Sequence, residues 1–445
     1  MPGYDVVVAG GGPAGLMLAA ELRIGGASVI VLERRAESSP MLKAGTLNRP
    51  SVEALYRRGL LPEVRRAQAE PEWSVSFLAG AGGRPRFAGH FAAIPLTDEL
   101  PAESDPELAG LHPPDLVDLV HQRQVEAILA RHAAGLGVPV RRGAAVTGFR
   151  EDVRGVTVEA AGERFRCGWL VGCDGGRSTV RKLAGFDFPG TEPEITAYHA
   201  VAEMDGLAGL ATGWHTTPAG VYVNDPPRGR ITTIAFGGAP SARDTPATAA
   251  DLRASIRHVT GAEVTITGIT SLTRFTPAGL LDTYTAERHP LGAWVLGWTR
   301  AQIALMRPDP HARALREVVA ALARTADGAT YFAKMISGLR QRYELPGEHP
   351  LIGASAPDYA LVDGSRLADH LHDGRALLLD SSGSLREPAA AYAGRLRLVT
   401  TAPADAPAVL FVRPDGYVAW AGEVDRDALE PVLESWLGPP RGGGG

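Results

Sequence analysis

The stretch from Tyr4 to Arg35, YDVVVAGGGPAGLMLAAELRIGGASVIVLERR, constrains the fold more than any other part of the chain. It begins with a β-branched run that is typical of a strand buried on both faces. Gly10, Gly12 and Gly15 follow in G-x-G-x-x-G register. In a strand–turn–helix unit these glycines allow a tight turn, close approach of a pyrophosphate and close packing of the helix.

The residues after the glycines complete this pattern. Leu16 to Ile24 has apolar residues at helical spacing, so a pyrophosphate would meet the N-terminal N–H groups of a helix. A second strand then ends on Glu33, 18 residues past Gly15, a spacing at which an acid accepts hydrogen bonds from a ribose. The stretch therefore predicts dinucleotide binding, against the alternative of a glycine-rich loop without a ligand. Arg34 either favours an extra phosphate or is a solvated charge.

Length and charge limit the classes of protein. A chain of 445 residues predicts two or three domains. Its 45 basic and 50 acidic residues are intermixed and give a net charge of −5, which indicates neither a nucleic-acid nor a membrane partner. Two cysteines, Cys167 and Cys173, fit neither a disulfide framework nor a metal motif, so no metal is expected. Without a recognisable signal peptide or long apolar span, the expected location is the cytoplasm.

A second informative cluster spans residues 156–185. A buried strand, Trp169 to Cys173, leads into Asp174-Gly175-Gly176-Arg177-Ser178 and a helix. An acid at the carboxyl end of a parallel strand, beside a helix N-terminus, can meet a second part of the same dinucleotide. Alternatively, Ser178 only caps the helix.

Two further segments complete the candidate nucleotide-binding region. A helix is predicted from about Gln122, and another follows Ser51 as a plausible N-cap with Glu53 in its first turn. Lys43, just before that helix, either holds a phosphate, flanks a reacting ring or is solvated.

Three motifs together carry a resemblance to a known family. GGGPAG with Glu33, then HQRQVEAIL, then GCDGGRSTVRKLAGFDFPG resemble the class A FAD-dependent aromatic hydroxylases, and specifically the branch that acts on aromatic polyketides. The resemblance implies an α/β fold: a Rossmann-like FAD-binding domain of the glutathione-reductase type, an inserted β-sheet substrate domain and a thioredoxin-like C-terminal domain.

The same resemblance implies the domain limits and the cofactor residues. The expected parts are the main FAD-binding domain at 1–185, the substrate sheet at 186–276, a helical remainder of the FAD domain at 277–345, the thioredoxin-like domain at 346–438 and a disordered tail at 439–445. FAD would be bound by Gly10, Gly12, Pro13, Ala14, Gly15, Glu33, Arg34, Lys43, Gln122, Asp174 and Gly175, with NADPH as a transient reductant. Lys43 stands where the family usually has arginine, and lysine cannot reproduce a bidentate or stacked arginine contact.

Strand patterns recur in the expected substrate domain, which contains no ionisable pair or nucleophile motif. Such a sheet is expected to form one wall of a large aromatic pocket. Trp214, His215, Tyr222 and Phe236 either line that pocket or pack in the core.

The resemblance breaks after Thr276. The family would continue into a strand ending in a Gly-Asp motif and a loop that holds the flavin ring. Here Thr276 is followed at once by PAGLLDTYTAERHPLGAWVLGWTRAQ, which resembles a later helical segment. We therefore predict an internal deletion that would leave unpaired backbone groups on the sheet and an exposed apolar helix face. Either another segment fills this gap, a partner chain fills it, or the protein is destabilised. Residues 373–384, DGRALLLDSSGS, lie in the C-terminal domain and are not expected to replace the lost motif.

Two functions follow from this interpretation. The first is an FAD-dependent, NAD(P)H-using monooxygenase that hydroxylates an aromatic polyketide by way of a flavin C4a-hydroperoxide. The second is a hydroxylase-like protein that has lost flavin redox activity and acts as a polyketide-binding partner or a non-redox, cyclase-type enzyme. The helices predicted at 311–343 have apolar faces that suit either burial in the core, the commoner case, or packing against another domain, a second copy in a homodimer or a partner subunit. The C-terminal domain lacks C-x-x-C, which excludes thiol redox chemistry there.

Overall fold

The structure is a computed structural model that describes most of the chain. None of the helices in the described residues is long and apolar enough to cross a membrane. The described residues are 3–38, 45–69, 88–92, 94–97, 105, 107–108, 112, 117–187, 195–207, 209–236, 246–275, 289–400, 403 and 406–440. Lys43 and the junction at Thr276 lie outside them.

The strands in the described residues form three main sheets and two short pairs. In chain order they are β1 Gly3–Ala9, β2 Val29–Glu33, β3 Thr46–Asn48, β4 Ala88–Phe91, β5 Ile94–Thr97, β6 Val117–Leu119, β7 Val140–Arg142, β8 Val146–Asp152, β9 Gly155–Ala160, β10 Glu163–Gly172, β11 Ile195–Asp205, β12 Gly213–Thr217, β13 Gly220–Asp225, β14 Arg230–Phe236, β15 Thr265–Phe275, β16 Ala376–Asp380, β17 Leu396–Val399, β18 Val409–Val412 and β19 Val418–Gly422.

The α-helices cover these sheets and link them. They are α1 Pro13–Ile24, α2 Arg49–Tyr56, α3 Leu61–Gln68, α4 Gln122–Gly135, α5 Thr179–Leu183, α6 Ala249–Thr260, α7 His289–Met306, α8 Pro310–Ala323, α9 Ala326–Ser337, α10 Arg386–Ala390 and α11 Arg426–Leu437. The mixed α/β fold predicted from the sequence is confirmed.

The first sheet has the order β7-β2-β1-β10-β9-β8. Strands β7, β2, β1 and β10 run parallel, whereas β9 and β8 continue the sheet in antiparallel fashion. Val7 and Val8 in the central strand β1 are completely buried, because β-branched side chains fill both faces of this strand. The carboxyl ends of β1, β2 and β10 consequently meet at one edge of the sheet.

The helix predicted to begin at Ser51 begins earlier. Asn48 is its N-cap, with a side-chain oxygen that accepts from the Ser51 N–H at 3.3 Å, and Pro50 lies in the first turn. Asparagine is as good a cap as serine. Proline is tolerated in the first turn because the backbone N–H groups there have no acceptor within the helix. The Ser51 N-cap prediction was therefore wrong by three positions.

The second sheet is antiparallel, with the order β12-β13-β14-β11-β15. One face packs against α6, where the Thr233 hydroxyl lies 2.7 Å from the Ser255 hydroxyl. The opposite face, called the inner face below, packs against the β4–β5 hairpin and helices α7 and α9. Its apolar core includes Phe91, Ile234 and Ala333.

The C-terminal sheet has the order β17-β16-β18-β19 and packs between two apolar clusters. Residues 376–380 form its fully buried strand β16. Asp380 ends that strand and accepts from the N–H groups of Ser382, Gly383 and Leu385 at 2.8–3.1 Å. The DSSGS segment is thus the turn after a core strand of this sheet.

A buried arginine joins the N-terminal and C-terminal parts of the chain. Arg58 donates to both carboxylate oxygens of Glu21 at 2.6 Å and to the carbonyls of Leu371 and Pro414 at 2.9 Å. Its side chain is only 3% exposed. Four charge-assisted hydrogen bonds to three separate segments make this residue a structural anchor.

We expect Arg58→Ala to lower the free energy of unfolding by about 3 kcal/mol, because it leaves buried acceptors without a donor. Urea denaturation followed by tryptophan fluorescence would measure the change. The matched control is Arg131→Ala, which removes an arginine that is 61% exposed and paired with Glu63, and which should cost less than about 1 kcal/mol. Equal effects of the two variants would contradict the anchoring role.

Candidate functional site

A cleft of about 280 Å³ lies where β1, β2 and β10 end. We call it the nucleotide cleft. Its walls include nine of the predicted cofactor residues, namely Gly10, Gly12, Pro13, Ala14, Glu33, Arg34, Gln122, Asp174 and Gly175. Three separate stretches of sequence thus meet in one cleft.

The glycines shape the floor of this cleft. A Cβ on Gly15 would lie 1.9 Å from the Gly10 carbonyl oxygen, and one on Gly10 would lie 2.4 Å from the Cys173 carbonyl oxygen. Gly10 also has a φ of +110°, which other residues adopt only with strain. A Cβ on Gly12 would meet nothing within 4 Å. Gly10 and Gly15 are thus needed for packing, whereas Gly12 faces open space from which a ligand can approach the backbone.

The N-terminus of α1 points its backbone donors at the cleft. Pro13 lies in the first turn, and the N-cap Gly12 offers no side-chain acceptor to the following N–H groups. Such a helix end carries a partial positive charge and unsatisfied donors. These features suit a phosphate or pyrophosphate group.

Glu33 is fixed in place at the end of β2. Its Oε2 accepts from the Gly11 N–H at 2.6 Å, and its Oε1 accepts from the Arg35 N–H at 2.9 Å. Arg142 lies opposite Glu33 in the β2–β7 register. The carboxylate is therefore held at the cleft wall, where each oxygen retains capacity to accept a further hydrogen bond.

The two carboxylate oxygens of Asp174 differ in their hydrogen bonding. Oδ2 accepts from the N–H groups of Thr179 and Val180 at 2.6 and 3.2 Å, while Ser178 caps the same helix through the Arg181 N–H. Oδ1 is buried and has no hydrogen-bond partner among the described residues. A buried carboxylate oxygen without a donor is costly, so a ligand hydroxyl at this position would satisfy it.

Helix α4 provides part of the cleft wall. Gln122 donates from Nε2 to Glu126 Oε1 at 2.7 Å, and both side chains line the cleft. Burial and the charge of Asp174 raise the pKa of the Cys173 thiol, which also lines the cleft and stays protonated at neutral pH. Sequence reasoning missed Glu126 and Arg142 as lining residues. Only the four-residue spacing from Gln122 pointed to Glu126.

These residues fit the ADP half of FAD. The helix N-terminus suits the pyrophosphate, Glu33 suits the ribose, and the unsatisfied Asp174 Oδ1 suits a hydroxyl further along the dinucleotide. The cleft volume is near the lower end of the roughly 300–1,000 Å³ found for small-molecule sites. The described cleft is therefore sized for part of the dinucleotide.

Beyond the cleft, β10 extends past its pairing with β9. β10 pairs with β1 as far as Gly172, but with β9 only from Glu163 to Cys167. No described strand pairs with the other side of residues 168–172, which we call the open edge. Trp169 on this edge is 73% exposed. Unpaired backbone groups here are what the loss of a neighbouring strand predicts.

Two helices also expose apolar side chains. Trp294 and Val295 of α7 are 38% and 44% exposed, and Leu315, Val318 and Leu322 of α8 are each more than half exposed. An apolar helix normally buries such residues. Exposed apolar side chains of the kind that the predicted deletion would leave are thus present on the first two helices described after the junction.

The three predicted substrate-binding aromatics do not share one face. Trp214 and Phe236 lie on the inner face, where both pack against the apolar core, and Trp214 contacts the His90 ring in a tilted arrangement with centroids 4.1 Å apart. Tyr222 lies opposite Thr233, on the face covered by α6. Side chains alternate along a strand, so Tyr222 cannot line a pocket together with Trp214 and Phe236. Strand β12, which carries Trp214, was not predicted as a strand.

Two family models match the chain. Residues 3–278 match "FAD binding domain", and residues 349–440 match "Aromatic-ring hydroxylase, C-terminal". A 12-dehydrotetracycline 5-monooxygenase/anhydrotetracycline 6-monooxygenase from Streptomyces rimosus is 35% identical, over 98% of this chain and 99% of its own. That alignment spans 522 positions, whereas 98% of this chain is about 436 residues, so about 86 positions have no counterpart here.

Solved structures are similar to this chain over nearly its whole length. OxyS anhydrotetracycline hydroxylase from Streptomyces rimosus has a TM-score of 0.83 at 33% identity, covering 98% of this chain and 100% of its own. The Diels-Alderase PyrE3 of pyrroindomycin biosynthesis has a TM-score of 0.78 at 27% identity, covering 98% and 99%.

We expect Glu33→Gln to weaken ADP binding by roughly 10- to 100-fold, because a charge-assisted hydrogen bond to the ribose is replaced by a weaker one. Isothermal titration calorimetry with ADP measures this. Glu151→Gln, an exposed change on β8, is the control and should leave the affinity unchanged. Unaltered ADP affinity in Glu33→Gln would contradict the assignment of this carboxylate.

Proposed function

Since this chain belongs to the FAD-dependent aromatic-ring hydroxylases, we propose that it is an NAD(P)H-using monooxygenase that hydroxylates an aromatic polyketide. The observation that carries the proposal is the convergence of Glu33, Asp174 and the α1 N-terminus in one cleft sized for a nucleotide. Relatives that match over nearly their full length, named as tetracycline-pathway monooxygenases, support the substrate class.

In this proposal the cleft residues hold FAD by its ADP half. Gly12, Pro13 and Ala14 present the helix N-terminus to the pyrophosphate, and Glu33 accepts from the adenosine ribose. Asp174 and Gln122 lie further along the cleft, towards the flavin. Arg34 and Arg142 supply positive charge beside the phosphates, and Lys43 remains a predicted contact.

Bound FAD, reduced by NADPH, supplies the activation of molecular oxygen. The contribution of this chain is to bind the aromatic substrate and exclude water from it. The inner face supports this role, since Trp214 and Phe236 border an apolar cluster of aromatic side chains from β4, α7 and α9. Its two free cysteines support a reducing cytoplasm as the place of action.

A second function is favoured by the open edge and by PyrE3. If the flavin ring is not held in a reactive position, the same scaffold could catalyse a non-redox cyclisation in the substrate pocket. The relative titled a Diels-Alderase shares the fold over the whole length of this chain. The two functions differ in a measurable way, because only hydroxylation consumes NADPH and oxygen.

We expect the protein supplied with FAD, NADPH and anhydrotetracycline to oxidise NADPH in a substrate-dependent manner and to add one oxygen atom from ¹⁸O₂. Product mass spectrometry measures the incorporation.

Asp174→Asn should raise the FAD concentration for half-maximal activity about tenfold, because the Oδ1 acceptor becomes a donor. The exposed control Asp187→Asn should not. A rearranged product of unchanged mass without NADPH oxidation would support the second function instead.

A further inference from the structure

A second cavity, of about 370 Å³, lies between α8 and the turn that joins β12 to β13. We call it the arginine pocket, because Arg313, Arg316 and Arg324 line it. It shares no lining residue with the nucleotide cleft. Its volume falls within the roughly 300–1,000 Å³ that is usual for small-molecule sites. The pocket is therefore large enough for a ligand of its own.

The charge of this pocket comes from one face of α8. Residues three, four and seven apart share a helix face, and this spacing brings the three arginines, Glu317 and Ala320 to the same cavity. Glu317 is the acidic residue among the described lining residues. Three positive charges against one negative charge leave a net charge of +2 in that lining. A concave surface with such an excess attracts anions.

The arginines keep most of their hydrogen-bonding capacity. Among the described residues, Arg313 and Arg324 form neither an ion pair nor a hydrogen bond. Arg316 donates to the carbonyl of Ala92, and burial is what lowers the pKa of its guanidinium, with no described carboxylate acting on it. Since each guanidinium has five N–H donors, most of the donors in the pocket are available to a ligand.

The positive charges lie towards both ends of the pocket. At 1.5 Å per residue, the Cα atoms of Arg313 and Arg324 are about 16 Å apart along α8, and Arg316 lies near the first of them. Ala320 lies between them on the helix, and the buried Ile94 of β5 also lines the cavity. The pocket thus combines two cationic ends with an apolar section.

The second wall of the pocket is fixed to the second sheet. The Thr217 hydroxyl donates to the carbonyl of Val259 in α6 at 2.6 Å and accepts from the Ala219 N–H at 3.2 Å. These bonds hold the turn between β12 and β13 through α6. A ligand in the pocket would therefore bridge α8 to the sheet.

We propose that the arginine pocket binds an elongated organic dianion, with an apolar body and a carboxylate or phosphate group at each end. Arg313 and Arg316 bind one anionic group and Arg324 binds the other, because the guanidinium fork matches the oxygens of both groups. The apolar body lies against Ala320 and Ile94. This site goes beyond the proposed hydroxylation, since it uses no residue of the nucleotide cleft.

Isothermal titration calorimetry of the full-length protein, without FAD or NADPH, tests the ligand class. The ligands are biphenyl-4,4′-dicarboxylate, the monoanion biphenyl-4-carboxylate and the uncharged biphenyl-4-methanol. We expect the dianion to bind with a dissociation constant below about 1 mM, and about tenfold more tightly than the monoanion. Biphenyl-4,4′-diyl bisphosphate distinguishes the two sources of charge, because the tighter of the two dianions identifies the anionic group that the pocket prefers.

Two substitutions of opposite sign test the charges. Arg324→Gln should weaken binding of the dianion about tenfold and bring it close to that of the monoanion, because one cationic end is lost. Glu317→Gln removes a repelling carboxylate and should tighten binding of the dianion about threefold. Both side chains are exposed, so both variants should fold, which circular dichroism melting checks.

Two control variants separate the pocket from general charge effects. Arg253→Gln removes another exposed arginine, on α6, and should leave the affinity for the dianion unchanged. Arg34→Gln does the same in the nucleotide cleft and should also leave it unchanged. Equal affinities for the dianion, the monoanion and the alcohol would overturn the proposal. So would equal affinities for the dianion in wild type, Arg324→Gln and Glu317→Gln, or loss of its binding in Arg34→Gln.

Discussion

Close packing of α1 against β1 and β10 is the constraint on which the rest of the site depends. The contact is possible only because Gly10 and Gly15 lack side chains, since a Cβ on either would overlap a backbone carbonyl. This packing fixes the N-terminus of α1 relative to the ends of β2 and β10. Glu33 and Asp174 then line the same cleft, at the ends of β2 and β10.

The nucleotide cleft has the groups expected of a nucleotide site, whereas the strand expected beside the open edge is not among the described strands. The nucleotide cleft has a helix N-terminus, a fixed carboxylate at Glu33 and an Asp174 oxygen that has no hydrogen-bond partner among the described residues. Among the described residues, no strand pairs with the open edge of β10, and Trp294 and Val295 of α7 are more than a third exposed. We therefore expect the local contacts of the cleft to bind the nucleotide half of FAD, whereas the predicted deletion removes contacts to the flavin half.

Much of this could be predicted from sequence because the signals are local. The strand–glycine–helix–strand pattern needs about thirty residues, and the Asp174 cluster needs a strand and a helix start. Contacts between segments far apart in the sequence could not be predicted. The contacts of Arg58 with Leu371 and Pro414 join segments more than 300 residues apart. Predicting the face on which Tyr222 lies required β12 and the pairing register of the sheet. The choice between Asn48 and Ser51 as the N-cap could not be made from sequence, because both residue types are equally suitable caps.

The central claim is that this chain recognises FAD mainly through its ADP half. Parallel calorimetric titrations of the protein with ADP and with FAD test this most directly. We expect both ligands to bind, with dissociation constants within about tenfold of each other, because the described contacts all lie on the nucleotide side. FAD binding more than about a hundredfold tighter than ADP binding, or the absence of ADP binding, would contradict the account.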